Sequence, residues 1–364
     1  MKLLIFTLAV LFTFKAQAQT EALEKPLEFS GYFDMYYQTD ANQQLRTPGR
    51  IFDARNNVAQ VNLAELSFKK TKGQVQFRGD LAFGEMVDTL VGVDPTAAVS
   101  TANADPSKNI TQAILTYTPS AVNGFTLTAG KFYSYLGFEV THAKDNWNYS
   151  RSYTYNYGIP FWHEGVSIGY AFIPGKLTGT VYVLNAWDGR IANEQNKSAT
   201  LGASINWTPV EGASLIYNYI GGAEGTDSGS VKIVHELNGS YAFNSLLSLA
   251  FDMISGQQTH VTATTDAKWS AYTIYAKMSF TPWYTLSPRY EVFDDTDGFA
   301  LGQGIVQKIT SVTLSNNFIL ADGLEARFEV RNDKSNVAST YFKNKDGQNS
   351  DGDMTTAVAL LYGF

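Results

Sequence analysis

The sequence predicts an all-β fold: one transmembrane antiparallel β-barrel of about sixteen strands. Three observations predict it. Segments of roughly ten residues with period-two hydrophobicity run from Phe29 to Phe364, and the connections between them alternate long and short. An aromatic or apolar residue close to a Pro also recurs where strands enter the short connections.

Composition leans the same way. Of 364 residues, 21 are Tyr and 23 are Phe against 17% charged, a bias towards residues that favour strands. The absence of Cys excludes a disulfide scaffold, thiolate metal sites, a Cys nucleophile and a lipid-modified terminal cysteine. A net charge of −7 with no basic run excludes a nucleic-acid partner, because nothing is present to neutralise phosphates.

Residues 1–18 read as an export signal. Lys2 supplies the positive start, Leu3 to Phe14 is a largely apolar stretch, and Ala16-Gln17-Ala18 is the small-x-small pattern that signal peptidase accepts. The apolar run is too short for a membrane anchor and is closed by Lys15. Cleavage removes Lys2 and Lys15 and no acid, which takes the net charge from −7 to −9. Residues 19–28 form a lead-in, and 29–364 the barrel.

The expected strands are 29–38, 58–70, 73–84, 109–119, 123–133, 163–173, 176–188, 197–208, 212–222, 229–243, 246–258, 266–281, 283–295, 304–320, 322–334 and 353–364. In the third, Val75, Phe77, Leu81 and Phe83 share one face and Gln74, Gln76, Arg78 and Asp80 the other. In the thirteenth, Leu286, Pro288, Tyr290 and Val292 oppose Ser287, Arg289, Glu291 and Phe293, with Pro288 the residue a central strand resists. In the fifteenth, Leu324, Ala326, Phe328 and Val330 oppose Glu325, Arg327, Glu329 and Arg331. A soluble β-sandwich also alternates, so alternation alone does not decide.

Connection length does. The linkers run long (39–57), short (71–72), long (85–108), short (120–122), long (134–162) and short (174–175), as in barrels with periplasmic turns and external loops. Tyr117-Thr118-Pro119, Phe172-Ile173-Pro174, Trp207-Thr208-Pro209 and Phe280-Thr281-Pro282 all end even-numbered strands, where aromatics form the periplasmic girdle and Pro ends ladder pairing. Phe364 closes an alternating run with Val358, Leu360 and Tyr362, which looks like the signal read by the outer-membrane barrel assembly machinery.

From Phe29-Ser30-Gly31-Tyr32-Phe33-Asp34 onwards the chain resembles the OmpL-like β-barrel porin family of Gram-negative bacteria. The likeness is carried by Ala64-Glu65-Leu66-Ser67-Phe68, by Gly130-Lys131-Phe132, and by Asn146-Trp147-Asn148-Tyr149-Ser150-Arg151-Ser152 leading to Gly158-Ile159-Pro160-Phe161-Trp162-His163-Glu164-Gly165-Val166. The resemblance implies an outer-membrane, porin-like channel, and 134–162 is the block it marks as functional. Sixteen-stranded porins are usually trimers, so a homotrimer is a candidate assembly.

A barrel of sixteen strands encloses a lumen too wide for strand side chains to fill. Its expected wall charges are Asp34, Glu65, Arg78, Asp80, Arg289, Glu291, Glu325, Arg327, Glu329 and Arg331. Opposed signs either set ion preference through a transverse field or simply pair. The third external loop, 134–162, is aromatic-rich, with eleven aromatics in residues 132–162. Trp147, Tyr149, Arg151, Tyr153, Tyr155 and Tyr157 fall at every second position, which reads as an extended segment with one aromatic face.

Three readings of that loop compete. It forms a constriction whose rings stack on flat faces of a solute, with Glu139, Asp145 and Arg151 setting charge preference. It is an extra hairpin of an eighteen-stranded barrel, which would expose Arg151 to lipid at a cost of roughly 2–4 kcal/mol. Or it packs on the wall for rigidity alone.

Asp295, Asp297, Asp351 and Asp353 are weaker candidates as oxygen ligands for Ca²⁺, in acidic Gly-rich turns without EF-hand spacing. His142, His163, His235 and His260 show no metal spacing, and no Gly-x-Ser-x-Gly elbow occurs, so neither cofactor nor turnover is expected. The expected function is passive diffusion of small hydrophilic solutes or ions across the outer-membrane lipid. The alternative is an adhesin or receptor that uses the barrel as an anchor.

Overall fold

A computed structural model describes residues 25–90, 106–188, 198–224, 229–262 and 265–364. The expected signal and most of the lead-in fall outside these.

Sixteen strands follow one another round a closed antiparallel barrel. They are β1 Glu28–Asp40, β2 Ala59–Lys72, β3 Val75–Phe83, β4 Ile110–Tyr117, β5 Phe125–Tyr133, β6 Trp162–Ile173, β7 Leu177–Leu184 and β8 Thr200–Trp207. The second half comprises β9 Ala213–Ala223, β10 Val231–Ala242, β11 Leu247–Thr262, β12 Thr265–Thr281, β13 Tyr284–Asp295, β14 Gln307–Ala321, β15 Leu324–Lys343 and β16 Asn349–Gly363. The ring closes where β1 pairs with β16, from Tyr32↔Gly363 to Asp40↔Thr355.

The burial pattern is inverted relative to a soluble protein. Val181, Val183, Leu201 and Ile205 are exposed on the outer face, whereas Asp34, Arg289, Glu291, Glu329 and Arg331 are buried inside. That is what period two produces when one face meets lipid and the other a polar lumen. Phe172, Trp207, Phe280, Trp283 and Phe364 stand exposed at the short-turn end, where the aromatic girdle was expected.

Pro288 is accommodated by a gap. The β12–β13 partners run Tyr275↔Arg289 and then Met278↔Leu286, skipping the residue that has no N–H to give. On its other side Pro288 keeps register with Leu314.

Three expectations are corrected, and one connection gains an element. The eighteen-stranded alternative fails because β5 pairs directly with β6, from Phe125↔Tyr170 to Tyr133↔Trp162, and the chain between them leaves the sheet. The 335–352 connection is mostly strand: β15 runs nine residues further than expected, and the turn around Asn344–Gln348 is held by the Asn344 side chain accepting the N–H groups of Asp346 (3.0 Å) and Gln348 (2.9 Å). The second external loop opens with a short helix, α1 (Glu85–Leu90), that buries Met86, Val87 and Leu90. Finally, 147–157 is no extended aromatic-faced strand. Its second half winds into a π-helical turn at Thr154–Gly158, and Ser150, Ser152 and Thr154 are as buried as Tyr149, Tyr153 and Tyr155.

Candidate functional site

The third external loop lies inside the barrel, and the wall charges hold it there. A chain leaving the sheet must find new partners for its backbone groups. On β15 and β13 alternate residues point inward, which places acids and arginines in turn against the loop. Glu329 accepts the N–H groups of Tyr149 (2.8 Å) and Ser150 (3.2 Å), and Glu291 those of Tyr153 (2.9 Å) and Thr154 (2.6 Å). The carbonyls go to the arginines. Arg289 donates to Ser150 O (2.5 Å), Arg327 to Ala143 O (2.8 Å) and Asn148 O (3.0 Å), and Arg331 to Arg151 O (2.7 Å).

These are charge-assisted bonds in a water-poor space, each stronger than a neutral one. Ion pairs lock the same groups together. Arg289 sits 2.6 Å from Glu139, which also accepts the Ser152 N–H at 2.7 Å, and Arg331 is 2.7 Å from Asp333. Arg327 is paired with Glu325 at 2.9 Å.

Further hold comes from β1 and β2, across the seam from β15. The Tyr149 hydroxyl donates to Asp34 at 2.9 Å, and Asn62 donates to the other Asp34 oxygen at 3.1 Å. Burial and the neighbouring Asp34 raise the Tyr149 phenol well above its ordinary value, so it stays a neutral donor. Burial likewise pushes Tyr155, bonded to Thr141 at 2.9 Å, up to about 12.

Arg151 is fully buried. Its guanidinium donates to Tyr149 O (2.9 Å) and Thr141 O and lies over the Phe52 ring at 5.3 Å. Trp147 meets Phe138 edge-on at 5.2 Å, and Tyr157 stacks on Tyr153 at 6.0 Å. Trp147, Tyr149, Arg151, Tyr153 and Tyr157 therefore pack the loop together.

A second group of the expected residues lines open space. Glu65, Arg78, Glu139, Asp145 and Tyr155 border a cavity of about 780 Å³ with Tyr32, Tyr133, His142 and Lys144. The cavity lies between the loop and the β1–β5 wall and reaches the short-turn end at Gly31, Gly323 and Phe364. Arg78 pairs with Asp80 at 2.9 Å.

Beside it, the lumenal face of β5–β7 is lined by uncharged groups. Thr126, Thr128, Ser167, Thr178, Thr180 and Tyr182 border a further 400 Å³.

Sequence reasoning missed the first loop, which also turns inward. Arg50 pairs with Asp53 at 2.6 Å and approaches Asp333 at 3.9 Å, and Phe52 packs against Phe161. It also missed His142, dismissed for lack of a metal partner, although it stands 3.0 Å from Glu65. The expected calcium ligands serve other partners. Asp295 accepts the N–H groups of Phe299, Ala300 and Leu301, Asp297 that of Lys268, and Asp351 is 3.7 Å from Lys334. Asp353 packs beside Asp40. Among the described residues no three His, Asp or Glu side chains gather as a metal site.

Residues 26–364 match the family described as "Putative beta-barrel porin-2, OmpL-like". The chain belongs to this family. It is an outer-membrane β-barrel porin, and its fold agrees with solved channels at low identity. The outer membrane channel DcaP of Acinetobacter baumannii superposes with a TM-score of 0.60 at 12% identity, over 93% of this chain and 97% of that one. The anion-selective porin from Comamonas acidovorans gives 0.61 at 11%, over 93% and 99%. OmpT of Vibrio cholerae gives 0.60 at 12%, over 93% and 97%. No curated protein matches the porin's sequence.

Proposed function

We propose that this porin is a passive diffusion channel for small hydrophilic solutes, narrowed by the inward-folded loop 134–162. The single observation that supports this reading best is the 780 Å³ cavity left between that loop and the β1–β5 wall, lined by both charged and phenolic side chains. In this reading the passage follows the β2–β5 side. Glu65, Arg78, Glu139, Asp145 and Tyr155 face the solute, and Trp147, Tyr149, Arg151, Tyr153 and Tyr157 fix the width of the opening from behind. Tyr155 is the one aromatic of the original set that borders the cavity, its ring packed on Phe52 at 6.0 Å and Phe161 at 5.6 Å.

Export through a signal at residues 1–18, engagement of the barrel assembly machinery at Phe364, and a homotrimer complete the proposal. A trimer form of OmpT from Vibrio cholerae, similar in fold at 9% identity and a TM-score of 0.58, makes three-fold assembly a reasonable arrangement. No turnover and no cofactor enter this reading.

The test is single-channel recording of the refolded protein in a planar bilayer under a salt gradient. Stable steps that grow with salt concentration support the channel. Silence from a protein that keeps its heat-modifiable barrel would overturn it in favour of an adhesin or receptor whose barrel is an anchor.

A further inference from the structure

Most charges around the 780 Å³ cavity are already cancelled by a neighbour. Glu139 is paired with Arg289 at 2.6 Å, Asp145 with Lys144 at 2.9 Å, and Asp80 with Arg78 at 2.9 Å. Glu65 differs. Its carboxylate accepts the hydroxyls of Thr111 (3.1 Å), Tyr133 (3.1 Å) and Ser67 (3.4 Å), which orient the charge without cancelling it. Among the described residues its one basic ion-pair partner within 4 Å is His142, whose Nε2 stands 3.0 Å from Glu65 Oε1, while Arg78, held by Asp80 at 2.9 Å, acts on it from farther off.

The imidazole is held by two tyrosine rings and an acid. Tyr32 meets it edge-on at 5.0 Å and Tyr133 at 5.5 Å, while Nδ1 is 4.0 Å from Asp145. Glu65 belongs to the β2 wall and His142 to the third loop, so their contact bridges the space through which the proposed path runs.

We propose that Glu65 is a cation-selecting site of the lumen and that His142 is its cap. With the imidazole neutral, the cavity carries one uncancelled negative charge, which attracts small monovalent cations and primary ammonium groups. A proton on His142 cancels that charge. The other groups around the ring are Tyr32 from β1, Arg78 and Asp80 from β3, Tyr133 from β5, Glu139, Lys144 and Asp145 from the loop, and Arg327 with Glu325 from β15. The acids and bases among them are paired with one another or with Arg289. The proposal rests on the diffusion-channel reading for its effect on current, but not for binding.

The experiment uses the full refolded barrel with Glu65→Gln and His142→Gln. In a potassium chloride gradient, the native protein should prefer potassium over chloride severalfold at about pH 8 and lose that preference at about pH 5. Glu65→Gln should be unselective at both, and His142→Gln cation-preferring at both. Unchanged selectivity in Glu65→Gln, or undiminished pH dependence in His142→Gln, would overturn the proposal. A second readout does not depend on conduction. The protein has four histidines, and methylammonium chloride added at neutral pH should shift the ring NMR signal that is absent from His142→Gln. The same addition should leave that signal unmoved in Glu65→Gln. Failure of this shift sinks the site even in a conducting channel, and electrical silence with the shift present sinks only the channel reading.

Discussion

Two stretches of the lumen wall are built on different chemistry. Across β13–β15 and β1 the inward positions carry Arg289, Glu291, Arg327, Glu329, Arg331 and Asp34, and all of them bind the third loop. Across the short-turn half of β5–β7 the inward positions carry Thr, Ser and Tyr, and they border open space. The difference reverses the usual intuition about pores. A buried charge is tolerated only when paired and hydrogen-bonded, so the charged wall marks where protein packs. The neutral wall can stay open without a partner. Charge on the strands of this porin is chiefly the means of holding the loop, and the charge bordering the open cavity is the smaller set around Glu65.

The strongest way to break this comparison is to remove the loop. Deleting 144–157 should leave a closed barrel, since no strand pairing passes through it, and should raise single-channel conductance markedly. It should also strip Glu329, Glu291 and three arginines of partners and lower the unfolding midpoint in urea. Unchanged conductance would mean the loop does not narrow the path.

Next comes Glu329→Gln. The amide replaces one acceptor oxygen by an NH2 donor facing the Ser150 N–H, and the nearby arginines lose a counter-charge. A cost of about 3 kcal/mol is expected from breaking one side of a buried network, read from urea unfolding. A cost below about 1 kcal/mol would show that the loop is held by packing instead.

Arg151→Gln sharpens the distinction between holding and selecting. Its guanidinium binds loop carbonyls, so stability should fall by about 2 kcal/mol while the reversal potential in a salt gradient stays put. A clear shift in selectivity would return Arg151 to the solute path.

The smallest effect belongs to the neutral wall. Thr128→Ser or Thr180→Ser should change stability by no more than about 0.5 kcal/mol, because these side chains border open lumen. A larger loss would mean that the wall packs against something.

The barrel was readable because period two survives wherever one face meets lipid. The strand count, the inward charges on β13 and β15 and the special position of 134–162 all came from that period and from connection lengths. The tyrosine alternation in 147–157 misled for a physical reason. Spacing of two implies an extended segment only when the two faces meet different surroundings, and inside the lumen Tyr149, Ser150, Arg151 and Ser152 are all buried. Hydrogen-bonding Ser, Thr and Asn between the rings let the chain turn instead of extending. The inward course of the first loop and the role of His142 depend on contacts to β15, β2 and β5, which no local pattern encodes. The length of β15 was underestimated because Ser, Thr and Val continue a ladder as well as they fill a loop.

The pairing of β1 with β16 has a consequence for how such a molecule comes to exist. Asp34 faces Leu361 across that seam, and Gly31 exchanges backbone bonds with Phe364 at 3.1 Å in both directions. The partners lie at opposite ends of the sequence, so this ladder is the one with the greatest entropy of closure. Until it forms, every intermediate carries two raw edges, each able to recruit a strand from another chain. A Cβ at position 31 would meet the Phe364 ring at 2.3 Å, which makes the glycine there the slot that lets the last turn of the ring seat. Folding of this barrel is therefore timed by its seam: an edge must be chaperoned for as long as the fourteen intervening strands take to arrive.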